Sequence, residues 1–237
     1  MSIDALREHY QRVWRADATH DEEKGFITAL LEEHGRERLD FHFELLRNRE
    51  HFYFYCAIRA AFEEHGAVAE PYLVARFREE SEPHLRGDAL QILGHMRSKN
   101  ARGLAREAVR DEAVTVRNRG VIVLGWVGTA ADVRTVLNER LRHDPAVVVR
   151  GNAATAFRQI WYYNRGDRDE AIELPGEALK AEVDETVVCS IVVTLQDIMR
   201  RRFGLREVSG EPGFVGDPVA AKERALQLLN RQLPVLR

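Results

Sequence analysis

The chain has 237 residues, 45% of them apolar and 31% charged, with 35 basic and 38 acidic side chains for a formal net charge of −3. That composition supports a core and excludes a disordered chain, and the missing basic excess argues against a dedicated nucleic-acid binder while leaving room for a local basic face. No run of about 18 uncharged apolar residues offers a membrane span, and the opening MSIDALREHYQRVW carries charges where a secretion signal needs an apolar stretch, so a cytoplasmic protein is the expectation.

In chain order the predicted elements are helices. Apolar residues recur at three and four, hairpin dipeptides such as Asn-Gly and Asp-Gly are absent, and strand signals are weak. Ile3 to Ala16 and Asp21 to Glu33 read as a capping pair. Its HDEE run, His20 to Glu23, places acids in a first helical turn, where they complement the dipole. Asp40 to Arg47 and His51 to His65 form the next pair. The run HFYFYC (His51 to Cys56) turns aromatic rings all around one helix, some into the core under the cap and at least one outward.

Ala69 to Glu79, Ala101 to Val109 and Thr129 to Arg142 are each followed by a helix led by an arginine. Tyr162 to Pro175, with Arg165, Asp167, Arg168, Asp169 and Glu170, reads as a solvated loop inserted after the third such pair. Gly176 to Val183 and Thr186 to Arg202 then form a further pair. At its end Arg200 to Arg202 suit the negative pole of the dipole and Gly204 suits a helix stop, with contact to phosphate or to an acidic partner as the alternative. Leu205 to Gly216 reads as a loop. The last helix, Asp217 to Leu233, opens with Asp217 as N-cap and Pro218 at the first helical position. Cys56 and Cys189 lie in apolar helical runs and read as buried reduced thiols, since a disulfide framework needs more cysteines in a shorter chain.

The arginine-led helices repeat. Arg86 begins RGDALQILGHM, Arg117 begins RNRGVIVLGWV and Arg150 begins RGNAATAFRQI, at steps of 31 and 33 residues. Three positions on stands a small residue, Ala89, Gly120 or Ala153. Seven on stands Leu93, Leu124 or Phe157. An acid precedes each arginine: Glu82, Asp111, Asp144. One helix pair cannot bury its apolar stripe alone, but stacked copies bury each other's. The small residues let helices approach, the acid caps a helix start, and the arginine reaches the acid of an adjacent unit.

This period, with an acid, a Val-Arg turn and an Arg-x2-[Ala/Gly]-x3-[Leu/Phe] second helix, resembles HEAT repeats. The short unit is most similar to the repeats shared with the phycobilin-lyase branch. The resemblance is carried by residues 82 to 161 and implies an all-α, right-handed α-α superhelix. That is a solenoid of about five helix pairs forming one domain over 1–237, with caps at 1–39 and 204–237 and repeats over 40–203. It also implies that the second helices line a concave face.

At about 100° per residue, offsets of one, two, five and nine after each arginine fall away from the core stripe. The predicted face is Gly87, Asp88, Gln91 and His95; then Asn118, Arg119, Ile122 and Trp126; then Gly151, Asn152, Thr155 and Gln159. Trp126 is either an interface anchor or a member of the core between repeats. The aromatic WYYN, Trp161 to Asn164, packs on the insertion or walls a groove.

No HExxH, Cys-x2-Cys, GxSxG or phosphate-binding glycine loop is present, so no catalytic, cofactor or metal site is expected. The reading is a non-enzymatic scaffold that binds another protein: an adaptor, or an inhibitor of the immunity type. Two families of this shape that do chemistry are the alternatives. An alkylpurine DNA glycosylase needs a basic aromatic groove with a carboxylate, for which Asp88 is the only acid on the predicted face. A phycobilin lyase subunit shares the repeats alone.

Overall fold

The computed structural model describes residues 1–15, 18–164, 167–208 and 213–232. Of the expected features, the helix ends at Ala16 and Leu233, Arg165 of the insertion and part of the 205–216 loop lie outside them. Contacts divide the chain into two compact units, Met1–Asn100 and Ala101–Arg237.

The first unit runs α1 (Ile3–Val13), α2 (His20–Leu30), α3 (Arg36–Leu45), α4 (Phe52–Ala61), a 3₁₀ segment (Phe62–Val68), α5 (Ala69–Glu79) and α6 (Pro83–His95). Local chemistry sets these boundaries. Ser2 caps α1 through the Ala5 N–H. Thr19 and Glu22 close a reciprocal capping box at α2, so Glu22 of HDEE serves the helix start. The expected helix over His51 to His65 is α-helical to Ala61 and tightens to 3₁₀ from Phe62, and Gly66 turns the chain in the left-handed region at φ 61°.

α1 packs on α2 and α3, α2 and α3 pack on α4, and α5 pairs with α6. Of the HFYFYC run, Phe54 is buried against Tyr10, Trp14 and Phe26, under the cap. Phe52 and Tyr53 point outward, 63% and 85% exposed.

The second unit runs α7 (Ala101–Ala108), α8 (Val114–Val127), α9 (Ala130–Asp132) continuing through a π-helical turn (Val133–Leu137) into α10 (Asn138–His143), α11 (Val147–Asn164), α12 (Arg168–Ala181), α13 (Glu185–Met199) and α14 (Pro218–Gln232). Helices α8, α11 and α13 pack side by side. α7 backs α8, α10 backs α11, α12 backs α13, and α14 closes on α12 and α13. This is the neighbour-on-neighbour packing of an all-α solenoid. Asp217 caps α14 by accepting from the Ala220 N–H, as expected.

Three expectations need correction. The segment expected as an inserted loop is largely helix. α11 runs to Asn164, and α12 starts at Arg168, where Asp167 accepts from the N–H groups of Asp169 and Glu170. Ala171, Ile172 and Pro175 are buried at helical spacing, so Pro175 sits inside a helix and does not end it. α13 stops earlier than Gly204. Arg200 takes the left-handed C-cap position at φ 54°, and the Arg201 N–H bonds to the Gln196 carbonyl. Between α13 and α14 lies a two-residue antiparallel ladder, β1 (Arg206–Glu207) with β2 (Phe214–Val215). Its sequence signal was the Ser-Gly-Glu-Pro turn composition between Val208 and Phe214.

Gly120 shows why the repeat asks for a small residue at that place. A Cβ there would meet the Ala105 carbonyl oxygen, the Val109 nitrogen and the Val109 Cγ1 at 2.9 Å each. Two of these are backbone atoms of α7 and its end, which cannot swing aside. Gly120→Ala is expected to cost about 1–3 kcal/mol in urea unfolding, through overpacking, although alanine is the better helix former. An unchanged or raised stability would show that α7 and α8 are not locked at this spacing.

Candidate protein-binding surface

The repeat motif builds an internal ladder. In α6, α8 and α11 the repeat arginine stands at the fourth helical residue. Arg117 holds Asp144 of the next repeat bidentately, Nε to Oδ2 at 2.9 Å and Nη2 to Oδ1 at 3.2 Å. Arg150 holds Glu182 in the same way, at 2.8 and 3.2 Å. The third guanidinium nitrogen of each donates to backbone carbonyls at its own helix entry, Asp111 and Glu112 for Arg117, Asp144 and Pro145 for Arg150.

The acids also accept backbone N–H groups, Ala146 for Asp144 and Val183 and Asp184 for Glu182. Burial pushes the Asp144 carboxyl up, but Arg117, the Ala146 N–H and Arg140 outweigh it and hold the group below the usual carboxylate range. These arginines therefore face their neighbouring repeats. They are structural parts.

The residues predicted for the open face separate into two groups. In the first unit, Asp88 and Gln91 are buried. Asp88 accepts from Arg49 Nη2 at 2.7 Å and from the Tyr55 hydroxyl at 2.7 Å, and Gln91 accepts from Arg59 at 3.1 Å. Burial and Asp88 push the Tyr55 phenol up to about 12. The helical wheel placed Asp88 and Gln91 away from the core stripe, but α4 lies over that side of α6 and covers them. His95 is exposed, 3.8 Å from Glu63.

In the second unit the predicted stripe stays accessible. Asn118, Arg119, Ile122 and Trp126 on α8, and Asn152, Thr155 and Gln159 on α11, are all half-buried, whereas Gly151 is buried. Asn152 Nδ2 donates to Asn118 Oδ1 at 2.7 Å and ties the two rows. The Gln159 amide fills the space beside Gly125, where a Cβ would lie 2.0 Å from its Oε1.

Two grooves flank this stripe. One, of about 870 Å³, lies between α11, α13 and the β1–β2 ladder; Asn152 and Thr155 line it with Val148, Cys189, Val208 and Phe214. The other, of about 640 Å³, lies at the C-terminal ends of α11 and α13, where Gln159 lines it with Trp161, Tyr162, Tyr163 and Arg200. Spacing alone missed the ladder wall, because it belongs to the segment after the repeats. Both thiols are free, Cys189 buried and Cys56 half-buried.

Residues 70–158 match the family model for HEAT repeats. That segment is built of HEAT repeats. The match takes in α6, α8 and α11 as far as Arg158, with their arginines and small residues, so family and geometry agree on the same unit. HEAT repeats generally serve as scaffolds for protein interaction and are generally non-catalytic. No curated protein matches the chain. No helix among the described residues is long and apolar enough to cross a membrane.

Proposed function

We propose that this HEAT-repeat chain is a non-enzymatic scaffold that binds one partner protein through the open face of α8 and α11. The contact residues are Asn118, Arg119, Ile122, Trp126, Asn152, Thr155 and Gln159. The observation that supports this reading is their common partial exposure as one polar and aromatic stripe, joined by the Asn118–Asn152 bond and edged by two grooves. Tryptophan, tyrosine and arginine at a partly covered face are what protein interfaces concentrate. A glycosylase-like reading loses its carboxylate, because Asp88 is sealed under Arg49 and Tyr55. An adaptor, or an inhibitor that sequesters one target as an immunity protein does, fits a scaffold of this kind.

The test is affinity capture from native cell extract with wild-type protein beside the double variant Trp126→Ala, Arg119→Glu, both shown by circular dichroism to be folded. One stoichiometric protein held by the wild type and reduced at least tenfold in the variant is the expected result. Equal capture by the variant would move the site elsewhere, and recovery of nucleic acid in place of protein would sink the reading.

A further inference from the structure

The groove at the ends of α11 and α13 has a chemistry that the open stripe lacks. Tyr162 and Tyr163 are 71% and 60% exposed and stand edge to face, ring centroids 5.2 Å apart. Trp161 lines the same groove. Its acid, Asp197, is already engaged with the chain: Arg158 holds it at 2.8 Å, and also holds Glu207 at 2.9 Å. Arg200 lines the groove too, and Arg201, Arg202 and Arg206, which follow it in the chain, are exposed as it is. None of these four has an ion pair among the described residues.

Elsewhere several arginines are matched to an acid, Arg76 to Asp40, Arg102 to Asp132, Arg117 to Asp144 and Arg150 to Glu182. Arg200 also occupies the left-handed region, which a non-glycine residue enters only at a cost. A chain of net charge −3 thus sets an exposed run of arginines, led by Arg200, at a groove walled by exposed aromatic rings.

We propose that this groove docks an acidic segment of a partner protein, its carboxylates on Arg200, Arg201 and Arg202 and an apolar side chain against Tyr162 and Tyr163. The proposal rests on the protein-binding reading above and names the chemistry of what is bound. Forked guanidinium groups match carboxylates two bonds at a time. A nucleic acid is the poorer occupant: its evenly charged backbone needs a continuous basic track, whereas this cluster spans residues 200–206 and the acid Asp197 shares the groove wall with Arg200.

The probe is a fluorescein-labelled peptide of alternating glutamate and phenylalanine, read by anisotropy. Controls are the same peptide with glutamine for glutamate and an oligothymidylate of equal charge. The glutamate peptide is expected to bind, and to bind at least tenfold more weakly to Arg201→Gln with Arg202→Gln and to Tyr162→Ser with Tyr163→Ser. Arg200→Gly is the most informative variant, since it removes a cation and relieves the left-handed backbone, so weaker binding there cannot come from unfolding.

Absent binding, equal binding of the glutamine peptide, tighter binding of the oligothymidylate, or variants that bind like wild type would each overturn the proposal. If the wild type still captures a protein lost in the Trp126→Ala, Arg119→Glu variant, only this groove's role has failed. If that capture fails as well, the scaffold reading falls with it.

Discussion

Asp144→Ala is expected to lower the unfolding free energy by about 3–5 kcal/mol, more than any substitution on the open stripe. Asp144 is 1% exposed and Arg117 8%. The carboxylate receives two nitrogens of Arg117, one of Arg140 and the Ala146 N–H. Removing it strands a buried guanidinium whose remaining bonds are to backbone carbonyls, and such an uncompensated charge is what makes a broken buried pair costly. The double variant Asp144→Leu, Arg117→Met separates this from ordinary packing. It removes both charges at similar volume and is expected to recover most of the loss. Urea unfolding of the wild type, both single variants and the double gives the coupling energy directly. A loss below about 1 kcal/mol for Asp144→Ala, the range of surface pairs, would show that the ladder does not join the repeats.

The same ladder explains why so much of the fold was legible. The acid and the arginine recur because each meets its counterpart in the neighbouring copy, and the small residue because it meets the first helix of its own pair. Spacing on one strand of text therefore reports contacts in space: Arg117 to Asp144, Arg150 to Glu182, Gly120 against α7. Departures fall where the copies stop being alike. Pro175 reads as a helix breaker in isolation, but Asp167 starts a helix before it and Ile172 and Leu179 bury its face.

The candidate site was legible in part, for a related reason. Helical periodicity places a residue on a side of its own helix and says nothing about what covers that side. Asn118, Asn152 and Gln159 stand on half-buried rows that solvent reaches, whereas Arg49, Tyr55 and Arg59 close over Asp88 and Gln91. The aromatic and basic groove needed two helix ends brought together from residues 158–163 and 197–200, a juxtaposition that no repeat spacing encodes.

Nor could any motif have marked the three histidines of the first unit. His34 Nδ1 lies 2.9 Å from His65 Nδ1, His65 Nε2 lies 2.9 Å from His42 Nδ1, and His42 Nε2 lies 2.8 Å from the Ile58 carbonyl. The carbonyl only accepts, so His42 must carry its proton on Nε2 and accept on Nδ1. His65 then donates from Nε2 and accepts on Nδ1, and His34 donates. The arrangement holds with His42 and His65 neutral.

Burial and the neighbouring His65 push His42 down to about 3, against the pull of the Ile58 carbonyl, and burial, His34 and Arg38 push His65 down to about 4. The unfolded chain binds these protons near pH 6.5, so it gains protons first as the pH falls. The stabilisation is therefore complete above about pH 6.5 and is lost progressively down to the folded values. Between pH 7 and pH 5 the loss is expected to be about 2 kcal/mol for each of the two rings. Hydrogen exchange of the α3 and α4 amides should speed accordingly across that interval, while the His42 ring signals stay those of neutral imidazole. Titration of His42 near pH 6.5, or amide protection unchanged from pH 7 to pH 5, would mean that the chain of rings opens to water and stores no such stability.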